Sequence, residues 1–313
     1  MKYYRIIILF FTLSLPFLGI GQNTFSASSV TEIPQQEVEA LMKLYQSLNG
    51  DSWNQKRNWF QSNTPSSWYG VSVLNGHVSE ISLISNNLTG NIAPEIKNLT
   101  FLRQLDLYNN SITGSIPEEI CDLEMLEKIN LANNQIEGTL PSNIGNLKHL
   151  QEIILANNKI GGSFPSSIVL LPALKGISLS NNLLTGVLPN SLDALKELVY
   201  FSMANNQITG TIPPGIGSMK KLKWVNFSQN QLTGSIPKEI GGMKELSRLN
   251  LSKNMLSGNI PTEISSLANL SYLNLSNNKL SGNMPSAIYH MKNLKGLILF
   301  NNQLVFTSTV ENK

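Results

Sequence analysis

Apolar and polar positions along this chain follow a pattern that recurs every 24 residues. The shared pattern of the copies is L-x-x-L-x-L-x-x-N-x-L-x-G-x-I-P-x-x-I-x-x-L, a clear example runs from Leu246 to Leu267, and the tenth copy lacks the Gly-x-Ile-Pro part. The asparagine of the pattern recurs ten times without an insertion or deletion, at Asn86, Asn110, Asn134, Asn158, Asn182, Asn206, Asn230, Asn254, Asn278 and Asn302. The pattern therefore predicts ten similar coils, each covering the apolar edge of its neighbour.

The x-L-x-L-x segment of each copy has the period of a β-strand. Its leucines share one face and the residues between them share the other, so each coil should add one short strand to a parallel sheet. Ten such strands would form a sheet on the order of 45 Å long. The asparagine amide should bond backbone groups of the turn and of the adjacent coil, because apolar side chains cannot satisfy them.

These residues resemble leucine-rich repeats, and the L-T-G-x-I-P signature, seen in Leu232 to Pro237, is similar to that of the plant-type 24-residue class. The resemblance covers Val78 to about Leu304. It implies a leucine-rich repeat solenoid: a curved parallel β-sheet of about ten strands, irregular or 3-10 return segments, and a helical N-terminal cap. It also implies recognition like that of receptor ectodomains or polygalacturonase-inhibitor-like proteins.

The segment before the repeats predicts the cap. Helical spacing of apolar residues predicts a helix over residues 34–48, and Asn49 and Gly50 should end it. Large rings should then cover the open edge of the first coil, namely those of Trp53, Trp59, Phe60 and Trp68.

The cap departs from the plant-type pattern at two positions. The segment resembles a C-x-W-x-G-V-x-C motif that forms a disulfide in plant-type proteins, but Ser66 and Val73 stand at the cysteine positions. In addition, N-x-S sequons begin at Asn226, Asn250 and Asn274, in three successive strands where eukaryotic glycans would crowd the exposed face. Both observations favour a bacterial member of the family.

The N-terminus predicts an export signal. Lys2 and Arg5 precede an apolar run from Ile6 to Leu18, which is too short for a comfortable membrane span, and small residues follow it. An uncleaved anchor is the alternative. We predict a signal peptide at 1–21, a cap at 22–76, repeats at 77–304 and a short C-terminal cap at 305–313. The expected location is secreted or at the cell surface.

Composition narrows the function. The chain of 313 residues has a net charge of +3 with dispersed basic residues, which disfavours a nucleic-acid partner. Cys121 is the only cysteine, so no intramolecular disulfide can form, and we expect it to be a partly buried filler. His77, His149 and His290 are interpreted as three isolated surface histidines that form neither a metal site nor a general base. We therefore expect a binding protein with no catalytic residues, cofactor or metal.

The outward positions of the strands supply the candidate site. One column contains Glu80, Gln104, Lys128, Glu152, Gly176, Tyr200, Trp224, Arg248, Tyr272 and Gly296. Its consecutive members Tyr200, Trp224, Arg248 and Tyr272, with Ser202, Asn226, Asn250 and Asn274 in the next outward column, are of types that recognition surfaces favour. They predict binding of a protein, peptide or glycan on the concave face. The alternative is a ladder of rings and guanidinium that only stack on one another.

A second flank offers a different function. Hydroxyl residues recur before and after the glycine of each coil, including Thr113, Ser115, Thr209, Thr211, Thr233 and Ser235. Some plant relatives of this repeat class are ice-binding proteins, so such rows are an alternative ice-binding face. Ser and Thr are also ordinary residues of a second short sheet.

Overall fold

The computed structural model describes residues 25–305, which form one α-helix, α1 (Gln35–Ser47), and sixteen short strands. In chain order the strands are β1 (Val71–Leu74), β2 (His77–Ser82), β3 (Thr89–Gly90), β4 (Gln104–Asp106), β5 (Ser111–Ile112), β6 (Lys128–Asn130), β7 (Glu152–Ile154), β8 (Gly176–Ser178), β9 (Tyr200–Ser202), β10 (Trp224–Asn226), β11 (Arg248–Asn250), β12 (Ser257–Gly258), β13 (Tyr272–Asn274), β14 (Lys279–Asn283), β15 (Gly296–Ile298) and β16 (Gln303–Val305). The predicted export signal lies outside the described residues, as does most of the predicted C-terminal cap.

Short 3-10 helices begin the cap and fill the return segments, as the repeat pattern predicts. They span Ala27–Ser29, Gly50–Ser52, Pro65–Ser67, Pro94–Asn98, Glu118–Asp122, Ile144–Asn146, Ser166–Leu170, Leu192–Ala194, Pro214–Ser218, Lys238–Gly242, Thr262–Ser266 and Ser286–His290. Most of those in the coils follow the Pro of the I-P signature, whose fixed φ suits the start of such a turn. Each of those in the coils places an isoleucine or leucine back into the core.

One long sheet runs through all ten coils. Its strand order is β1-β2-β4-β6-β7-β8-β9-β10-β11-β13-β15, and every pair from β2 onward is parallel. Ten parallel strands confirm the expectation from the repeats. The eleventh strand, β1, pairs antiparallel with β2 across Asn75 and Gly76, both of which have positive φ. Sequence analysis missed this hairpin although Asn-Gly between two apolar segments is a strong signal for it.

The leucines of each strand face inward and form a continuous core. Leu246, Leu249 and Leu251, for example, are all buried. The N-terminal cap continues this core, because Trp53, Trp59 and Trp68 are buried against it and against one another. Helix α1 lies between residues 34 and 48 as predicted, and Asn49 adopts the left-handed conformation after it.

The repeated asparagine joins each coil to its neighbour. Asn206 is a representative case: its Oδ1 accepts a hydrogen bond from the backbone N–H of Leu184 (2.9 Å), in the preceding coil. Its Nδ2 donates to the carbonyls of Leu179 (3.0 Å), again in the preceding coil, and of Met203 (3.1 Å). Asn86 instead bonds both backbone polar groups of Gln55, which ties the first coil to the cap. The predicted role of the amide is confirmed.

A buried carboxylate also holds the cap to the first coil. Glu37 of α1 accepts a hydrogen bond from the Val78 N–H (2.7 Å) and lies 2.6 Å from His77 Nδ1. The His77 ring stacks on Phe101 with 3.8 Å between centroids. The interpretation of His77 as an isolated surface histidine is therefore wrong. Its partner is 40 residues away on a helix, so sequence spacing gave no sign of the pair.

Cys121 is more deeply buried than expected, at 3% exposure. Burial, followed by the charges of Glu118 and Asp122, raises the pKa of its thiol to about 12. A protonated, enclosed thiol has little nucleophilic character, which agrees with the predicted role as a filler.

We expect Asn206→Ala to lower the free energy of unfolding by roughly 2–5 kcal/mol, because it leaves the buried Leu184 N–H and Leu179 carbonyl without partners. Gln207→Ala is the matched control, since this exposed neighbour takes no part in the amide ladder. The measurement is the midpoint of urea unfolding. Equal midpoints for the two variants would contradict the structural role of the asparagine.

Candidate functional site

The columns predicted on the outer face of the strands are aligned in the long sheet. Trp224 lies opposite Tyr200 on one side and Arg248 on the other, and Arg248 lies opposite Tyr272. The next column is equally in register, with Asn226 between Ser202 and Asn250. Parallel pairing without slippage therefore brings side chains from consecutive coils, 24 residues apart, onto one patch of surface.

Part of this patch forms a depression of about 560 Å³. We name it the C-terminal depression; it is lined by Trp224, Asn226, Arg248, Asn250, Ser271, Tyr272, Lys295 and Gly296. Its volume lies in the range of sites for small ligands or for a segment of a larger one. Five of the eight predicted ligand-binding residues line it.

Three lining residues are not among the predicted ligand-binding residues. Ser271 and Lys295 each lie one position before the predicted column, where the strand begins and alternation alone places no outward side chain. Gly296 belongs to the column, and the Tyr272 ring leans over it: a Cβ at Gly296 would lie 2.8 Å from Tyr272 Cδ2. Because Gly296 has no side chain, its backbone forms the floor of the depression at this end.

Tyr200 and Ser202 do not line the depression. The Tyr200 ring lies over Gly176, where any Cβ would collide with it. Burial, with the nearby Glu152 carboxylate, raises the pKa of the Tyr200 phenol. Ser202 is only 3% exposed, with its hydroxyl 2.6 Å from that of Ser180, so its predicted outward exposure is wrong. Both side chains therefore contact residues of the preceding coil and do not face the depression.

Asn274, the remaining predicted residue, does not line the depression either. Its Nδ2 donates to the Tyr272 hydroxyl (3.3 Å), and its Oδ1 accepts from the Ser276 N–H (3.1 Å) and hydroxyl (2.8 Å). Asn274 therefore positions Tyr272 at the edge of the depression.

Trp224 differs from the other tryptophans. It is 41% exposed, and within residues 25–305 its ring has no aromatic or cationic stacking partner. The three cap tryptophans are buried, and their indole N–H groups donate to carbonyls of Leu48, Tyr69 and Ser62. The alternative of a self-stacking ladder therefore does not describe the arrangement around Trp224.

The two amides beside Trp224 have fixed orientations. Asn226 Oδ1 accepts from the N–H (3.2 Å) and the hydroxyl (2.7 Å) of Ser228. Asn250 Oδ1 accepts in the same way from Ser252 (3.1 and 2.8 Å). A backbone N–H can only donate, so the amide oxygen must face it. Each NH₂ group is left without an acceptor among the described residues.

Sequence signatures described as Leucine rich repeat match residues 77–136 and 146–208. Further signatures with the same description match residues 221–243, 245–267 and 269–291. Together they cover more than half of the chain, in phase with the coils of the structure. The chain belongs to the leucine-rich repeat proteins.

Among relatives of this repeat family, Receptor-like protein 5 from Arabidopsis thaliana is 36% identical over 73 residues, 23% of this chain and 27% of the relative. The solved plant peptide hormone receptor RGFR1 in complex with RGF2 is 35% identical, with a TM-score of 0.71 over 71% of this chain and 36% of that one. This leucine-rich repeat chain thus spans about a quarter to a third of the length of these receptors.

A plant ice-binding protein of known structure is similar over a larger share of both chains. It is 26% identical, covers 88% of each chain and gives a TM-score of 0.75. The solved structures that resemble this chain therefore include both a peptide hormone receptor and an ice-binding protein.

The lateral flank carries the alternative hydroxyl rows. Its short pairings, such as Ser115 with Glu137 and Val187 with Thr209, join residues 22 apart, whereas the long sheet joins residues 24 apart. Equivalent hydroxyls of successive coils are therefore displaced by two residues along the flank. Thr113, Thr209 and Thr233 donate to carbonyls of Gly90, Gly186 and Gly210. Exposed positions without such bonds are Ser115, Thr211 and Ser235.

The part of the chain that the structure describes contains neither a metal-binding cluster nor a helix that could cross a membrane. No group of three or more His, Cys, Asp and Glu side chains is arranged to hold a metal ion. Within residues 25–305, no helix has the length and apolar character that crossing a bilayer requires.

Proposed function

We propose that this leucine-rich repeat protein is a non-enzymatic binding protein that recognises a protein, peptide or glycan ligand on the solvent face of the long sheet, the face expected to be concave. This proposal rests on the C-terminal depression. It gathers an exposed tryptophan, a guanidinium and two amide donors from consecutive coils, and none of these groups has a partner in the described protein. Such a surface gains most when a ligand covers it.

The relatives support a recognition role in general terms. RGFR1 is a plant peptide hormone receptor solved in complex with RGF2, and another similar structure is the ectodomain of a plant membrane receptor kinase. We further propose that this chain is exported, since its first residues fit a signal peptide, and that it is a bacterial member of the family, since Ser66 and Val73 replace the cap cysteines.

Comparative capture tests this function before the ligand has been identified. Wild-type protein, Trp224→Ala and Arg248→Ala are immobilised in parallel and exposed to extracellular material from the native environment. We expect wild type to retain ligands that both variants lose, because truncating a binding hot spot costs about 2 kcal/mol or more. Retained protein, peptide and glycan fractions are then titrated against each variant.

Ser235→Ala is the control, since this exposed hydroxyl lies on the lateral flank and makes no hydrogen bond within the described protein. It should retain what wild type retains. Identical retention by all four proteins, with circular dichroism showing intact folds, would place recognition elsewhere on the solenoid.

Ice binding is the second candidate, favoured by the similarity to a plant ice-binding protein over 88% of each chain. The exposed hydroxyls of Ser115, Thr211 and Ser235 would contact the ice surface. We expect inhibition of ice recrystallisation by wild type that is lost in a Thr211→Lys/Ser235→Lys double variant and kept in Trp224→Ala. Unchanged ice growth at high wild-type concentration would eliminate this candidate.

A further inference from the structure

Charge is unevenly distributed along the solvent face of the long sheet. In the N-terminal half, cations meet carboxylates of the next coil: Arg103 lies 2.8 Å from Glu127 and Lys128 lies 3.7 Å from Glu152. In the C-terminal half, Lys223, Arg248 and Lys295 lie at or next to the outer column of the sheet, are exposed, and form no ion pair among the described residues. No Asp or Glu lines the C-terminal depression. Positive charge therefore remains unneutralised there.

The two halves of the sheet also differ in the hydrogen bonds made by the asparagine NH₂ groups on its solvent face. Asn130 occupies the column of Asn226 in an earlier coil, and its Nδ2 donates to Asp106 Oδ2 (3.1 Å). The corresponding NH₂ groups of Asn226 and Asn250 have no such carboxylate bonded to them in the described protein. Their oxygens are engaged by the serine two residues later, so each amide offers a ligand only its donor side.

The free polar groups of the depression are therefore almost all donors. Five of them can only donate: Trp224 Nε1, Asn226 Nδ2, the Arg248 guanidinium, Asn250 Nδ2 and the Lys295 ammonium. The other polar side chains of the lining are two hydroxyls, of which that of Ser271 donates to the Ser247 carbonyl (3.0 Å) and that of Tyr272 accepts from Asn274 (3.3 Å). Indole, guanidinium and ammonium groups cannot accept hydrogen bonds. A complementary ligand must present acceptors and negative charge at this place.

We propose that the C-terminal depression binds an acidic saccharide, an oligomer of a uronic acid; this assignment rests on the proposed function and specifies its ligand. The carboxylate of a uronate fits the planar fork of Arg248, and Lys295 adds a second positive charge. Ring oxygens and hydroxyls accept from the two amides. The apolar face of the pyranose ring packs on the exposed indole of Trp224, whose N–H remains available as a polar handle.

An extended peptide fits this surface less well. Its backbone N–H groups need acceptors, but the oxygens of Asn226 and Asn250 are already occupied, which leaves only the hydroxyl oxygens of Ser271 and Tyr272 among the lining side chains. Donors left unpaired at an interface weaken binding. Strand addition is also blocked beside Arg248, because β11 is paired on both sides, with β10 and β13, and among the strands of the depression only β15 lies at an edge of the long sheet. The arrangement therefore favours a carbohydrate over a peptide main chain.

Calorimetric titration with defined probes tests the assignment. The full chain is titrated with a uronic acid tetramer and with the same tetramer after reduction of its carboxyl groups to neutral hexose. We expect binding of the uronate only, weakened by added NaCl because charge attraction is screened. Arg248→Gln and Trp224→Ala should each weaken it at least tenfold. Lys159→Gln, which removes an exposed cation four coils from Arg248's strand, should leave it unchanged.

Three results would overturn the assignment. The first is equal affinity for the neutral tetramer, and the second is tighter binding of an aspartate tetrapeptide than of the uronate. The third is absence of uronate binding while wild type still captures ligands that Trp224→Ala loses. In that third case recognition by the depression stands, and only the identification of the ligand as an acidic saccharide fails.

Discussion

The asparagine amide that bridges successive coils is the interaction on which the rest of the structure depends. Every coil must turn sharply after its strand, which leaves backbone N–H and C=O groups inside the turn with no strand partner. Asn206 satisfies one such N–H and one carbonyl of the preceding coil, and also a carbonyl of its own turn. One side chain thereby fixes both the turn and the stacking. An insertion in a coil would displace this amide from its partners, which explains the unbroken 24-residue spacing.

This constraint governs the inside of each coil and leaves the outside free to vary. The inward leucines are nearly invariant in kind, whereas the outer column changes from Glu80 and Lys128 to Trp224 and Arg248. Because the register never slips, residues from separate coils collect in one place with rigid spacing. A rigid platform loses little conformational freedom on binding, so exposed side chains on it can contribute more of their interaction energy to affinity. The C-terminal depression is built in this way from strands β10, β11, β13 and β15.

The fold and the alignment of the site could be predicted because both follow from a fixed repeat length. The details of the site could not, because they depend on the sizes of neighbouring side chains. Gly176 allows Tyr200 to lie flat over the sheet and leave the depression, while Gly296 gives the depression its floor. The engagement of Asn226 by Ser228 was visible only as a sequon. The contact of Glu37 with His77 joins a helix to a strand and has no periodic signal.

The most direct test of ligand recognition by the depression uses the four indole N–H groups of the chain as reporters. Those of Trp53, Trp59 and Trp68 are bonded to backbone carbonyls of the cap, whereas the Trp224 indole is exposed. In a nitrogen–proton correlation spectrum recorded during titration with the uronic acid tetramer, the Trp224 indole signal should move while the other three remain in place. A Trp224 signal that stays unmoved when the tetramer is bound, or cap signals that move in its stead, would contradict recognition by the depression.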